Sequence, residues 1–478
     1  MRVALYVPPI PDENQTPQLG PLYLLAVLEQ HGFEGRLFDA RIDGRAFSQL
    51  LRFKPEVVGV SAVTPGYLGG LSVAKKLKEV LPGVPIVFGG PHPTSLPRGV
   101  AAEPAVDYVL VGEGEETFLD LCLRLRDRET SPASLREVKN LVFKEGPEII
   151  STDRLPYLSP ENLDALPWPA FHRMDLDRYF SGTQTHGLFK RGKRVLPIMS
   201  TRGCPFTCTF CCRVMGGTIR SRSIDGVMAE ISFLGEKYGI DELYFEDDNF
   251  TVQRDRALEI LGRLAAHKPP LYLKFANGIR ADLVDKEILA AMKKARVYSL
   301  SFGIESGCES TLNKMKKRLD LHKARENVLL AKSMGFLVGA NCIIGYPGET
   351  APDIKESLHF FFSLPLDSMA IVNLVPFPGT EARAICEKNG WLTPEASDWD
   401  RYFFSLNNPH VLIDTPLLPR EEVIRLIRQA YRRMYLRPRF FLTALKHLSW
   451  GQWLKGAGVL LGLGRERLKR GDLTEKVG

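Results

Sequence analysis

The sequence predicts an α/β protein with three parts: a doubly wound, Rossmann-like sheet over residues 1–130, a partial (βα)6 TIM barrel over 191–390, and a helical extension over 391–478. Three observations lead there. Apolar runs of strand length alternate with stretches of helical spacing in two separate segments. A segment at 131–190, dense in Pro and turn residues, divides them. After Gly390 the strand-like runs give way to amphipathic helical spacing. The length of 478 residues also exceeds one ordinary domain, and 44% apolar with 25% charged residues is the balance of a soluble globular chain.

In the first part, residues 2–7 read as a strand and 19–32 as a helix, with Leu22, Leu25, Ala26 and Leu28 on its apolar side. The run 57–63 has the continuity of a buried parallel strand; 71–81 is a basic amphipathic helix, and 85–90 and 108–111 are further strands. Such sheets bind ligands at the carboxyl ends of their strands. Those ends carry Ser61, Thr64, Gly89, Gly90 and His92, then Gly112-Glu113-Gly114-Glu115. Paired glycines let a bulky ligand approach the backbone, although they can equally just turn the chain. The divider, with Leu155-Pro156-Tyr157 and Leu166-Pro167-Trp168-Pro169, reads as an extended strap without chemistry.

The barrel strands are predicted at 195–201, 242–247, 272–277, 299–305, 338–344 and 369–375. Six strand–helix units fall two short of closure, so an open barrel is expected, with its chemistry at the carboxyl ends. The first strand runs into Thr201-Arg202-Gly203-Cys204-Pro205-Phe206-Thr207-Cys208-Thr209-Phe210-Cys211-Cys212, which holds half of the eight cysteines. Cys204, Cys208 and Cys211 form a C-x3-C-x2-C pattern. Thiolates hold iron–sulfur clusters, and a 4Fe-4S cube normally takes four of them. A loop giving three leaves one iron open to a substrate or cofactor. Disulfides explain the loop poorly, because the start of the chain reads as a strand and not as a secretory leader. Zinc, with Cys212 as a fourth ligand, is the other reading of the spacing.

The loop resembles the signature of the radical S-adenosylmethionine (radical SAM) superfamily, including aromatic Phe210 before the last cysteine. The resemblance implies a 4Fe-4S cluster on Cys204, Cys208 and Cys211, chelation of SAM by the open iron, and reductive cleavage to a 5′-deoxyadenosyl radical. It implies that Glu246, Asp247 and Asp248 at the second strand end receive the SAM ammonium; an acidic cap on the next helix is the plain alternative. Arg280 is expected at the SAM carboxylate or in a structural salt bridge. Glu305, in Gly303-Ile304-Glu305-Ser306, is expected to accept from ribose or amine, and Ile344 and Gly345 to lie at adenine.

The order and spacing of the first part resemble the cobalamin-binding domain found ahead of a radical SAM domain. The Asp-x-His-x-x-Gly signature of histidine-ligated members is replaced here by Pro8-Pro9-Ile10-Pro11-Asp12. The resemblance is therefore to the His-off version, with Ser61, Thr64, Gly89 and Gly90 about the corrinoid and His92 lining the nucleotide-tail pocket. The pair implies a cobalamin-dependent radical SAM methyltransferase acting on unactivated carbon or phosphorus of a small-molecule or lipid-like substrate. A cobalamin-containing cyclase or rearrangement enzyme is the alternative. A reductant such as flavodoxin or ferredoxin is the implied partner.

The net charge of +7 is concentrated in residues 416–478, with 14 Lys/Arg against 5 Asp/Glu. No nucleic-acid motif accompanies it, and no nucleic-acid partner is expected. Within that segment 440–463 is apolar on one side and carries Lys446, His447, Trp450, Trp453 and Lys455. It is expected to cap the barrel, with a weak membrane-surface contact as the secondary reading. The expected location is cytoplasmic, which suits an oxygen-sensitive cluster; the secondary reading would put the protein at the inner membrane face.

Overall fold

The computed structural model describes residues 1–10, 16–181, 189–275, 277–404, 409–438 and 446. Its first unit is a seven-stranded sheet of order β2-β1-β3-β4-β5-β6-β7. The strands are β1 (Arg2–Val7), β2 (Glu34–Asp39), β3 (Val57–Ser61), β4 (Ile86–Gly89), β5 (Tyr108–Leu110), β6 (Leu141–Glu145) and β7 (Glu148–Ser151). The first five are parallel, and β6 and β7 add as an antiparallel hairpin. The chain order reverses between β1 and β3, which opens a crevice above their carboxyl ends. Two elements differ from expectation. The edge strand β2 was not anticipated, and the β6–β7 hairpin lies inside the stretch read as a strap, so the sheet continues to Ser151.

The second unit has six parallel strands in two sets of three. One set is β8 (Val195–Ile198), β11 (Glu242–Phe245) and β12 (Tyr272–Phe275); the other is β13 (Ser299–Glu305), β14 (Leu337–Ile344) and β15 (Ser368–Asn373). Single bridges, Leu273 to Val297 and Ile279 to Phe302, join the sets. The result is the open partial barrel that six units imply. Between β8 and β11 a small antiparallel pair, β9 (Thr201–Arg202) with β10 (Arg220–Ser221), closes the cysteine loop.

Apolar residues of both units share one continuous core, from Leu22 and Phe118 through Phe171 to Ile198, Leu243 and Phe302. The strap contributes to it: Ala170 N–H donates to the Leu22 carbonyl, and Trp168 packs on Phe233. The last part is helical, as expected. Among the described residues it is two 3-10 turns (Pro394–Ser397, Trp399–Arg401) and one long helix, Arg420–Tyr435. The turns lay Trp399 against the first unit, while the helix covers β15, where Tyr431 Oη accepts from Ile371 N–H at 3.0 Å. Both apolar faces are thus consumed in bridging. The 440–463 membrane reading falls outside the described residues, Lys446 apart. No helix among the described residues is long and apolar enough to cross a membrane.

Candidate active site

The cysteine loop leaves β8 through a turn that only glycine fits: Gly203 has φ +89°, and a Cβ there would lie 2.3 Å from the Thr218 carbonyl oxygen. Asp247 anchors the approach. Its buried carboxylate accepts from Ser200 N–H at 2.6 Å, Ser200 O–H at 2.5 Å and Thr201 N–H at 3.2 Å. Asp248 accepts from Gly203 N–H at 3.1 Å. Further along, Thr209 pins the loop across the barrel. Its N–H donates to Met315 O, its hydroxyl bonds Tyr346 Oη at 2.7 Å, and its carbonyl accepts from Ala382 N–H. The loop is therefore fixed from β11 and from the turns after β13, β14 and β15.

Cys211 N–H donates to the Cys208 carbonyl at 3.2 Å, which turns the two thiols onto the same stretch of loop. The neighbouring Cys211 thiol, helped by the Lys317 and Arg280 cations, holds the Cys208 thiol below its ordinary range. Lys317 favours the thiolate at all three positions. It is buried, pairs with Glu305 at 3.2 Å and lies 5.9 Å over the Phe210 ring. Neither Thr209 nor Lys317 was anticipated. Among the described residues no three His, Cys, Asp or Glu side chains are gathered to grip a single ion. Three soft thiols on a rigid loop, beside cations, suit the ligands of an anionic thiolate cluster, each to a different iron.

The other expected SAM contacts are placed differently. Asp247 gives three of its four acceptor sites to Ser200 and Thr201, so its first task is to anchor the start of the loop. Arg280 donates to both Asp282 oxygens and to the carbonyls of Lys317 and Arg318, and stacks on Phe206 at 4.0 Å. One N–H remains, too few for a bidentate clamp. Ile344 points into the outer core, while its neighbour Ile343 faces Phe210, Tyr346 and Met315. Alternation along β14 thus puts Ile343, not Ile344, on the loop side. Gly345, at φ +82°, turns the chain, and Glu349 caps that turn by accepting from Gly345 and Tyr346 N–H. Glu305 sits at a bulge with φ +73°, rare for a residue with a Cβ and the kind of strain that collects at functional sites.

In the first unit the strand ends surround a cavity of about 390 Å³. Ser61, Gly89 and Gly90 line its rim. Leu5, Gly59 and Phe118 line a slot running down between the sheet and the helix Glu115–Asp127. Gly90 has φ +101° and leaves 3.0 Å between a would-be Cβ and Ala62 O. No histidine is among the lining residues. His92 does not reach the cavity: it is buried beside it, stacked on Tyr67 at 4.2 Å, edge-on to Trp399 and 3.3 Å from Thr64 Oγ1. Thr64 is buried with it. Burial, and secondarily Arg383, lowers His92 to about 4, so it is a neutral core histidine.

The cavity's remaining wall comes from the barrel: Met199, Arg202, Val214, Met215 and Glu246. Beside it Glu113 and Glu115 meet Arg202 at 2.9 and 2.7 Å, and Arg220 meets Glu113 at 2.9 Å, all buried. The Gly112-Glu113-Gly114-Glu115 strand end therefore docks the β9–β10 hairpin. A crevice with glycines at its rim is thus walled on one side by Arg202, Val214 and Met215, which flank the cysteine loop in sequence. Fold and site define an enzyme whose metal-cluster barrel closes on a Rossmann-type ligand domain.

Comparison with known proteins makes this specific. Residues 12–122 match the B12 binding domain family and residues 198–361 the Radical SAM superfamily. An uncharacterized methyltransferase of Pyrococcus horikoshii is 28% identical over 456 residues, 92% of this chain and 94% of that protein. The anaerobic magnesium-protoporphyrin IX monomethyl ester cyclase of Cereibacter sphaeroides is 26% identical over 462 residues, 94% of this chain and 71% of that one. Among solved structures, the radical S-adenosylmethionine methyltransferase TsrM of Kitasatospora setae, with cobalamin and a [4Fe-4S] cluster bound, superposes with a TM-score of 0.71; at 16% identity it covers 96% of this chain and 98% of its own. The chain is a radical SAM superfamily enzyme carrying a B12-binding domain. Its cofactors are cobalamin, a 4Fe-4S cluster and SAM.

Proposed function

We propose that the protein methylates an unactivated carbon, or a phosphorus, of a small-molecule or lipid-like substrate seated between its two units. The observation that carries this reading is the shared wall: Met199, Arg202, Met215 and Glu246 line the cavity of the B12-binding domain and belong to the strand ends that frame the cysteine loop. When bound, the cluster and SAM supply a hydrogen-abstracting radical, and cobalamin supplies a transferable methyl group. The protein's own part is placement. Cys204, Cys208 and Cys211 hold the cluster, with Lys317 offsetting its negative charge. Phe210 and Ile343 present an apolar face on the SAM side, and Glu305 accepts from a ribose hydroxyl or the SAM amine. Ser61, Gly89 and Gly90 would admit the corrinoid at the strand ends. The wall of methionines and valine keeps water from the radical.

The likeness to a cyclase favours a second reading, ring formation or rearrangement without methyl transfer. The electron donor is a flavodoxin or ferredoxin. A weak contact of the 440–463 segment with the membrane surface would bring lipid-like substrates within reach. The deciding experiment is anaerobic reconstitution with iron, sulfide and hydroxocobalamin, then turnover of candidate substrates with methyl-deuterated SAM. Product carrying the deuterated methyl group is expected. Unlabelled product with 5′-deoxyadenosine still formed would leave the cyclase reading in its place.

A further inference from the structure

Glu246 is the acid of the Glu246-Asp247-Asp248 run that the cysteine loop leaves uncommitted. It keeps the inward phase of Glu242 and Tyr244 along β11, and its side chain enters the cavity wall facing the first unit. Among the described residues that side chain has no hydrogen bond or salt bridge. The cation that acts on it is Arg41, whose guanidinium is engaged by Asp39 and by the Thr16 carbonyl. Burial pushes the Glu246 carboxyl up to about 7. A half-buried carboxylate that faces a cavity and takes no donor from the described residues keeps its acceptor sites open to a ligand in that cavity. The cavity it faces has glycine-lined strand ends opposite and apolar Met199, Val214 and Met215 beside it. A corrinoid fits that pattern: an apolar ring rimmed by primary amides, each carrying two N–H donors.

We infer that Glu246 accepts a hydrogen bond from a corrin-rim amide, so that the bound corrinoid is held by both units. The inference rests on the cavity's taking a corrinoid, and the test separates the two. Full-length protein prepared without cobalamin is titrated anaerobically with hydroxocobalamin, and separately with dicyanocobinamide, which keeps the amide rim but lacks the nucleotide tail. Glu246→Ala should weaken both probes by about tenfold or more, the size expected for losing a hydrogen bond to a charged group. Glu246→Gln, which keeps a carbonyl acceptor, should lose less. Because a half-buried carboxylate with no partner among the described residues adds nothing to folding, neither variant should lower the unfolding midpoint of the corrinoid-free protein. Equal affinity of the Ala variant and the native chain for both probes overturns the inference. Failure of the native chain to bind either probe overturns the cavity assignment, and the inference with it.

Discussion

At the scale of single residues, the site depends on carboxylates with different tasks on neighbouring positions. Asp247 is buried and accepts three hydrogen bonds from Ser200 and Thr201, whereas Asp248 is exposed and accepts one from Gly203. Hydrogen bonds to a charged group contribute about 1.5–3 kcal/mol each. Asn at 247 keeps one acceptor oxygen and presents an NH2 to donors it cannot receive. Asp247→Asn should therefore destabilise the fold by about 2–4 kcal/mol. It should also lower the iron bound after anaerobic reconstitution, although no cysteine is touched. Asp248→Asn, altering one bond at an exposed rim, should change either quantity little. Equal iron loading in all three proteins would remove Asp247 from the loop's support.

At the scale of elements, the helix Pro91–Ser95 and the turns at 394–401 meet through His92, between Tyr67 and Trp399. The folded pKa of His92, about 4, lies below its ordinary 6.5, so the unfolded chain binds the proton more readily. The sign follows: this contribution is complete above pH 6.5 and is lost as pH falls toward 4. The full shift corresponds to roughly 3 kcal/mol. His92→Phe, which keeps the aromatic stack, should therefore lose less stability than the native protein between pH 7.5 and pH 5 in denaturant unfolding. Parallel pH profiles would show that His92 is not the titrating group. The elements themselves were largely legible, because apolar runs, helical spacing and glycine-marked strand ends are local signals. The β6–β7 hairpin had one too, Gly146-Pro147 between two strand-like runs, masked by the prolines around it. Phase was harder. Ile343 and Ile344 are the same residue type, and which faces the loop follows from the register of β14 against β15. Lys317 lies in a basic turn that reads as surface, and its burial against Glu305 and Phe210 is a long-range fact. Thr209 stood inside the cysteine motif, where the eye goes to sulfur.

At the scale of the whole molecule, the question is what makes two units act as one site. The apolar core is continuous, but the polar seam is more specific: Arg202 and Arg220 against Glu113 and Glu115, with the guanidiniums over Tyr23 and Tyr157. Arg202 stands two residues before Cys204, and Glu113 lines the first unit's cavity, so the seam touches both the cysteine loop and the cavity proposed for the corrinoid. Removing one member of a buried ion pair costs about 3–5 kcal/mol because its partner stays charged in low dielectric; removing both often costs far less. Arg202→Met should thus destabilise strongly, and adding Glu115→Leu should recover part of the loss, a coupling that a double-mutant cycle measures directly. Because the cost falls on the seam and not inside either unit, calorimetry of Arg202→Met should resolve two unfolding transitions where the native chain gives one. Iron loading and hydroxocobalamin binding should fall together in that variant, although no cluster cysteine has changed and only one cavity-wall residue has. A single transition with both cofactors bound at native levels would mean that the shared apolar core alone aligns the loop with the cavity, and that the seam adds nothing to assembly.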